Sequence, residues 1–122
     1  MREIELSAQI SFVKLASYVG TSSTGSVCEM IGLNVDISGR DVVVVEDIVD
    51  SGLTMKYVTE MLAKYNPRSI SICTLLLKPG NLKVDLDIPY KCFSIPNDFI
   101  LGYGLDYDGY GRNTRDIYTV VE

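Results

Sequence analysis

Three carboxylates and two hydroxyls fall within the nine residues Glu46-Asp47-Ile48-Val49-Asp50-Ser51-Gly52-Leu53-Thr54, and their order limits the chemistry they can do. The acids leave the end of an apolar run, Val42 to Val45. The hydroxyls open a segment whose apolar residues Met55, Val58, Met61, Leu62 and Tyr65 recur at helical spacing. Backbone N–H groups at a helix start favour an anion, Gly52 lets the backbone approach it closely, and Ser51 and Thr54 add donors. The turn therefore reads as a site for a sugar phosphate. Helix capping alone would account for one of these residues and leave the others unexplained. A nucleoside-triphosphate loop is excluded, because the turn has neither the Lys nor the first Gly of Gly-x-x-x-x-Gly-Lys. The chain has no histidine, so a general base near neutral pH must be a carboxylate, Lys, Tyr or Cys. Asp50, beside the phosphate turn, is the leading candidate.

Such groups need an edge to stand on. An uninterrupted Val run predicts a strand buried on both faces, as in a parallel sheet, with ligands gathering at its carboxyl end. Asn66-Pro67 should stop the helix. Ser69 to Leu77 is a second long apolar strand, so strand, helix and strand would form a right-handed crossover that sets Lys78 beside Glu46. Upstream, Ile10 to Leu15 alternates as a strand, Ser17 to Ser26 has the composition of a mobile loop, Val27 to Ile31 reads as a short strand and Ser38-Gly39 as a turn. Downstream, Asn97 to Asn113 is dense in Gly and Tyr around Asp106-Tyr107-Asp108, which predicts a shaped loop between short strands.

Composition bounds the rest. With 122 residues, 47% hydrophobic and 22% charged, one domain spanning 1–122 is expected. Folding should remove roughly 65% of its unfolded surface from water. The net charge of −5, with no basic run, argues against nucleic acid as a partner. No stretch approaches the roughly 18 apolar residues of a membrane span, and no apolar signal core follows Met1. Cys28, Cys73 and Cys92 are odd in number and widely spaced, which suits buried thiols in a reducing cytoplasm.

At Glu46 to Thr54 the residues resemble the phosphoribosyl-pyrophosphate signature of type I phosphoribosyltransferases, two acidic residues followed by a phosphate-binding turn. Further blocks narrow the resemblance. Lys78 follows a Leu-rich strand, Ile95-Pro96 precedes Phe99-Ile100, and Gly102-Tyr103-Gly104-Leu105-Asp106-Tyr107 leads to Arg112. Together these are similar to hypoxanthine–guanine phosphoribosyltransferases over essentially the whole chain from Ser11. The resemblance implies an α/β fold of the type I phosphoribosyltransferase kind, a mainly parallel sheet with flanking helices, here N-terminally incomplete. It implies transfer of a phosphoribosyl group from phosphoribosyl pyrophosphate (PRPP) to hypoxanthine or guanine, releasing pyrophosphate. In that frame Glu46, Asp47, Asp50, Ser51, Gly52, Leu53 and Thr54 hold the ribose phosphate, and Asp50 takes the proton from the purine N7. Lys78 would donate to the purine O6, Phe99 would stack on the base and Ile100 would offer its main chain. Arg112 would lie near pyrophosphate. Mg²⁺ would be held by Glu46 and Asp47, directly or through water, and by Asp106. Ser17 and Tyr18, with Gly20 and Ser23-Thr24-Gly25, would belong to a flexible loop that closes over the reacting centre.

Two departures qualify the expectation. The family's further N-terminal portion, including a Leu-Lys-Gly-like pyrophosphate loop, has no counterpart here, so the resemblance begins inside the family's domain. Pro79-Gly80-Asn81-Leu82 stands where many relatives carry Arg, leaving Lys83 as the only replacement charge. The alternatives are a xanthine-using enzyme, a nucleotide-binding module without catalysis, and an RNA-binding regulator, which the acidic balance disfavours. The expected partners are PRPP and a 6-oxopurine, with no nucleic acid and no membrane. A homo-oligomer, dimer or tetramer, would cover an open sheet edge.

Overall fold

The computed structural model describes residues 1–19 and 26–121, and at 17–19 and 26–28 the backbone alone. The elements run β1 (Lys14–Val19), β2 (Ser26–Ile31), β3 (Asp41–Val49), α1 (Leu53–Ala63), β4 (Ser69–Leu77), a 3-10 turn (Pro79–Asn81), β5 (Tyr90–Ser94), β6 (Ile100–Leu101) and β7 (Tyr118–Thr119). Strands β3, β4 and β5 form one sheet in that order, with β4 and β5 parallel. The pairs β1–β2 and β6–β7 are antiparallel. Among the described residues α1 is the one α-helix, so the expectation of several flanking helices is met by a single one.

The chain divides into two compact units, residues 1–42 with 57–70, and residues 43–56 with 71–122. In the first unit Ile37, Val58 and Leu62 are buried. Asp41 is held there by Arg68, whose Nε donates to Oδ1 at 2.9 Å and whose Nη2 reaches Oδ2, and by the Ser69 hydroxyl at 2.7 Å. These donors, Arg68 foremost, keep the Asp41 carboxyl well below the usual carboxylate range. The end of the helix also lies in this unit. Tyr65 and Asn66 donate to Leu62 and Ala63 across tightened turns, and Asn66 takes φ 55° before Pro67, so the predicted stop falls where expected.

In the second unit the buried side chains are Val49, Met55, Ile72, Leu76 and Leu77, with Thr74 and Lys78 among them. Thr74 satisfies its hydroxyl by donating to the Leu76 carbonyl at 2.9 Å.

Three expectations are corrected. The first strand begins at Lys14, not Ile10, and continues through Ser17 and Tyr18 to Val19. Ser17 and Tyr18 therefore lie on a strand, opposite Cys28 and Val27, and not in a loop. Six paired positions rich in Tyr, Val, Ile and Met outweigh a local composition of Ser and Gly. Of the expected loop, residues 20–25 lie outside the described residues. Finally, β3 is not covered on both faces: it alternates, with Val43 55% and Val45 77% exposed. β-branching sets the pleat of a strand, whereas its cover is set by neighbours the run itself does not encode.

Candidate functional site

The phosphate-type turn joins β3 to α1 within the second unit. Its backbone is tied down from the segment after β4: the Lys78 N–H donates to the Val49 carbonyl at 3.0 Å and the Lys83 N–H to that of Ser51 at 2.9 Å. Gly52 takes φ 81°, and a Cβ there would meet Leu86, Val84 and Leu82 side chains at 2.9, 3.0 and 3.1 Å. Glycine is thus favoured by conformation, and any larger residue would also have to displace the ends of these three side chains. The helix starts one residue later, at Leu53, whose N–H is 3.4 Å from the Ser51 hydroxyl oxygen it donates to. A cavity of about 250 Å³ is lined by residues 46–52 with Thr54 and Met55. All the expected ribose-phosphate residues except Leu53 line it; the Leu53 side chain is 53% exposed.

Glu46 and Asp47 line this cavity from within β3, which runs on to Val49. Burial, and next the hydrogen bond with Asp47, push the Glu46 carboxyl up to about 7. That bond is between the two side chains; the Asp47 backbone N–H, which donates to Glu46 Oε1 at 3.2 Å, acts in the opposite direction. Two adjacent carboxylates, one of them desolvated, suit a hard cation that also binds substrate oxygens. Among the described residues no group of three His, Cys, Asp or Glu side chains could hold a metal unaided. Asp106 does not extend the set: its Oδ1 pairs with Arg112 at 3.0 Å and its Oδ2 accepts the Gly109 N–H at 2.8 Å.

Lys78 is no strand-end side chain reaching for solvent. It is 5% exposed, and its Nζ lies 3.3 Å from Asp50 Oδ2. The other carboxylate oxygen accepts from the Asn81 side-chain amide. Asn81 above all holds the Asp50 carboxyl below its ordinary value; burial opposes it, and Lys78 and then Lys83 add to the lowering. A carboxylate and a buried ammonium thus stand side by side at the rim of the turn between β3 and α1.

The Gly- and Tyr-rich segment is, as expected, a shaped loop bracketed by short strands. Gly102 and Leu105 exchange hydrogen bonds at 2.9 and 3.0 Å, and Tyr107 and Tyr110 at 2.8 and 3.0 Å. The central pairs Tyr103-Gly104 (φ 52° and 97°) and Asp108-Gly109 (φ 51° and 83°) have the left-handed signs of tight hairpin turns. Phe99 is 52% exposed, and Tyr107 meets it edge-on with ring centres 5.5 Å apart and an 89° interplanar angle. Ile100 enters β6, paired with Thr119. Arg112 also donates from Nη1 to the Gly104 carbonyl at 2.7 Å and lines a second cavity, about 540 Å³, with Tyr103, Arg115 and Asp116.

Two residues were not singled out from the sequence. Pro79-Gly80-Asn81 reads as a turn, and nothing local shows that the Asn81 amide reaches Asp50. Tyr107 was one Tyr among several until its ring contact set it apart.

A strand–turn–helix unit on a parallel sheet defines an α/β class of domain, and the comparisons with known proteins specify it. The model of the phosphoribosyl transferase domain family matches residues 3–108, and the chain belongs to that family. It is 47% identical over 120 residues to the hypoxanthine-guanine phosphoribosyltransferase of Mycobacterium bovis, a match covering 98% of this chain and 59% of the relative. To the hypoxanthine phosphoribosyltransferase of Salmonella typhimurium it is 44% identical over 107 residues, 87% of this chain and 60% of that one. The crystal structure of a Bacillus anthracis hypoxanthine-guanine phosphoribosyltransferase superposes with a TM-score of 0.85 at 38% identity, over 98% of this chain and 71% of that one. The chain thus spans about 59% of the length of the curated mycobacterial relative it matches. The type I phosphoribosyltransferase fold is common to them.

Proposed function

We propose that the chain serves purine salvage, transferring the 5-phosphoribosyl group of PRPP to hypoxanthine, with guanine as a second acceptor, and releasing pyrophosphate with IMP or GMP. The observation that carries this reading is the contact of Lys78 with Asp50 at 3.3 Å. On a 6-oxopurine, N7–H and O6 are neighbours on one edge, one to be deprotonated and one to be bound by a donor. A carboxylate and a buried ammonium placed together complement that edge. Adenine offers a 6-amino donor to the same ammonium and should be rejected.

In this reading the turn from Asp50 to Thr54 anchors the 5′-phosphate, and Glu46 and Asp47 hold the ribose hydroxyls. Phe99 stacks on the base, Ile100 meets its edge through the main chain and Arg112 faces pyrophosphate. As the N9 lone pair attacks the anomeric carbon, the N7 proton passes to Asp50, the N7–H electron pair stays in the purine ring, and pyrophosphate leaves with the electron pair of the broken C–O bond. Glu46 and Asp47 fit Mg²⁺ shared with substrate oxygens, which when bound would spread the leaving group's charge. Asp106 would join that set only on release from Arg112 and Gly109. We place the protein in the cytoplasm, consistent with the absence among the described residues of any helix long and apolar enough to cross a membrane. Homo-oligomers would cover exposed side chains such as Val45 and Phe93, 77% and 60% exposed.

The 122-residue chain is incubated with Mg²⁺, PRPP and hypoxanthine, guanine, xanthine or adenine in turn, and nucleotide formation is followed by absorbance. Turnover with hypoxanthine and none with adenine is expected. IMP binding without turnover would replace the reading with that of a nucleotide-binding module.

A further inference from the structure

Asn81 closes the 3-10 turn after β4, where its N–H donates to the Lys78 carbonyl at 3.1 Å. The Asn97 side chain lies close against this turn, since a Cβ placed on Gly80 would be 3.3 Å from its oxygen. From this turn the Asn81 amide donates to Asp50 Oδ1, while the Lys78 ammonium stands 3.3 Å from Oδ2. The two donors are not equivalent. A bound 6-oxo group competes for a flexible ammonium at a long distance, whereas it offers nothing better to a neutral amide already seated on its acceptor. We propose that Asn81 is a positioning residue for Asp50, holding Oδ1 so that Oδ2 is the oxygen left to accept the purine proton when Lys78 turns to the substrate. This deepens the proposed function and rests on it. The proton moves from the ring nitrogen to Oδ2, and the N–H electron pair remains with the purine as its bond to the sugar carbon forms.

A hydrogen bond to the charged form of a carboxyl favours that form. The Asp50 carboxylate is faced by Asn81, Lys78 and, more remotely, Lys83. Removing the amide therefore raises the pH at which Asp50 titrates, while leaving both cations in place.

The test compares the chain with Asn81→Leu and Asn81→Gln. The Asp50 Cγ resonance is followed against pH by NMR without substrate, and kcat and KM for IMP formation are measured over the same range. For Asn81→Leu the titration midpoint and the acid limb of kcat should both move upward. Its kcat should fall about tenfold, the loss of one charge-assisted hydrogen bond, with KM changed far less. Asn81→Gln, which keeps the amide, should recover part of both. A folded Asn81→Leu whose Asp50 midpoint stays with the parent's overturns the proposal, as does an Asn81→Gln no closer to the parent than Leu. Should Asn81→Leu not fold, Asn81→Ser is read against the same criteria. If the parent chain forms no IMP, that failure belongs to the proposed function, and the Asp50 titration still decides the positioning role.

Discussion

Breaking the Lys78–Asp50 pair from its two sides should have unequal consequences for stability. Lys78 is 5% exposed, whereas the Asp50 side chain is 47% exposed, so the desolvated partner is the cation. Removing one member of a fully buried pair costs about 3–5 kcal/mol, because the other charge is left without compensation. With Asp50 half open to water, screening reduces the expected cost of Asp50→Asn to about 2 kcal/mol. Lys78→Met instead leaves a half-exposed carboxylate that still accepts from Asn81, and it removes the desolvated charge, so its cost should stay under about 1 kcal/mol. Urea unfolding followed by circular dichroism measures both. The pH dependence provides a second check. Asp50 has a lowered folded pKa, so its contribution is present above its unfolded value and is lost as pH falls through the folded one. Asp50→Asn should abolish that acid-side component. Equal costs, or a Lys78→Met more damaging than Asp50→Asn, would refute the assignment of Lys78 as the buried, dependent charge.

Further consequences follow from other residues. Gly52→Ala meets both a positive φ and three side chains within about van der Waals reach, and should destabilise by about 2 kcal/mol or more while weakening ribose-phosphate binding in calorimetric titration. Glu46, raised from 4.5 to about 7, is protonated in the folded chain where the unfolded chain is ionised, so its contribution falls between about pH 4.5 and 7. Glu46→Gln should remove that slope and stabilise by about 1–2 kcal/mol at pH 8, a figure discounted because Glu46 is only half-buried. Mg²⁺ affinity in the presence of PRPP should rise more steeply from pH 6 to pH 8 in the parent than in this variant, where only the ionisation of PRPP itself contributes. Arg68→Met should flatten the loss of stability on acidification that Asp41 contributes below its unfolded pKa, and added salt should shrink the difference between the two chains.

What was legible in the sequence was what short segments specify by themselves. Ser69–Leu77 is the expected strand, the helix lies within two residues of its expected bounds, and Asn66-Pro67 ends it. The Asp50–Thr54 turn carries its own signature in Gly52, whose positive φ favours glycine. The pairing of β1 with β2 was hidden because it is non-local, while Ser, Thr and Gly between Ser17 and Ser26 dominate the local composition. The exposure of Val43 and Val45 was hidden for a related reason: a hydrophobic run reports a preference for burial and not the presence of a cover. At the site, Lys78 could be placed near the sheet edge, but its pairing with Asp50 across 28 residues could not. The Asn81 amide, 31 residues from Asp50, left no sequence signal beyond that of a turn.

The central claim, that Asp50 accepts the purine proton in phosphoribosyl transfer, is tested most directly by steady-state IMP formation in the parent chain and in Asp50→Asn at saturating PRPP and hypoxanthine. Loss of a positioned general base should lower kcat about 10²–10⁴-fold with KM changed only slightly. An Asp50→Asn chain that turns over at the parent's kcat, or a parent chain that forms no IMP, would contradict it.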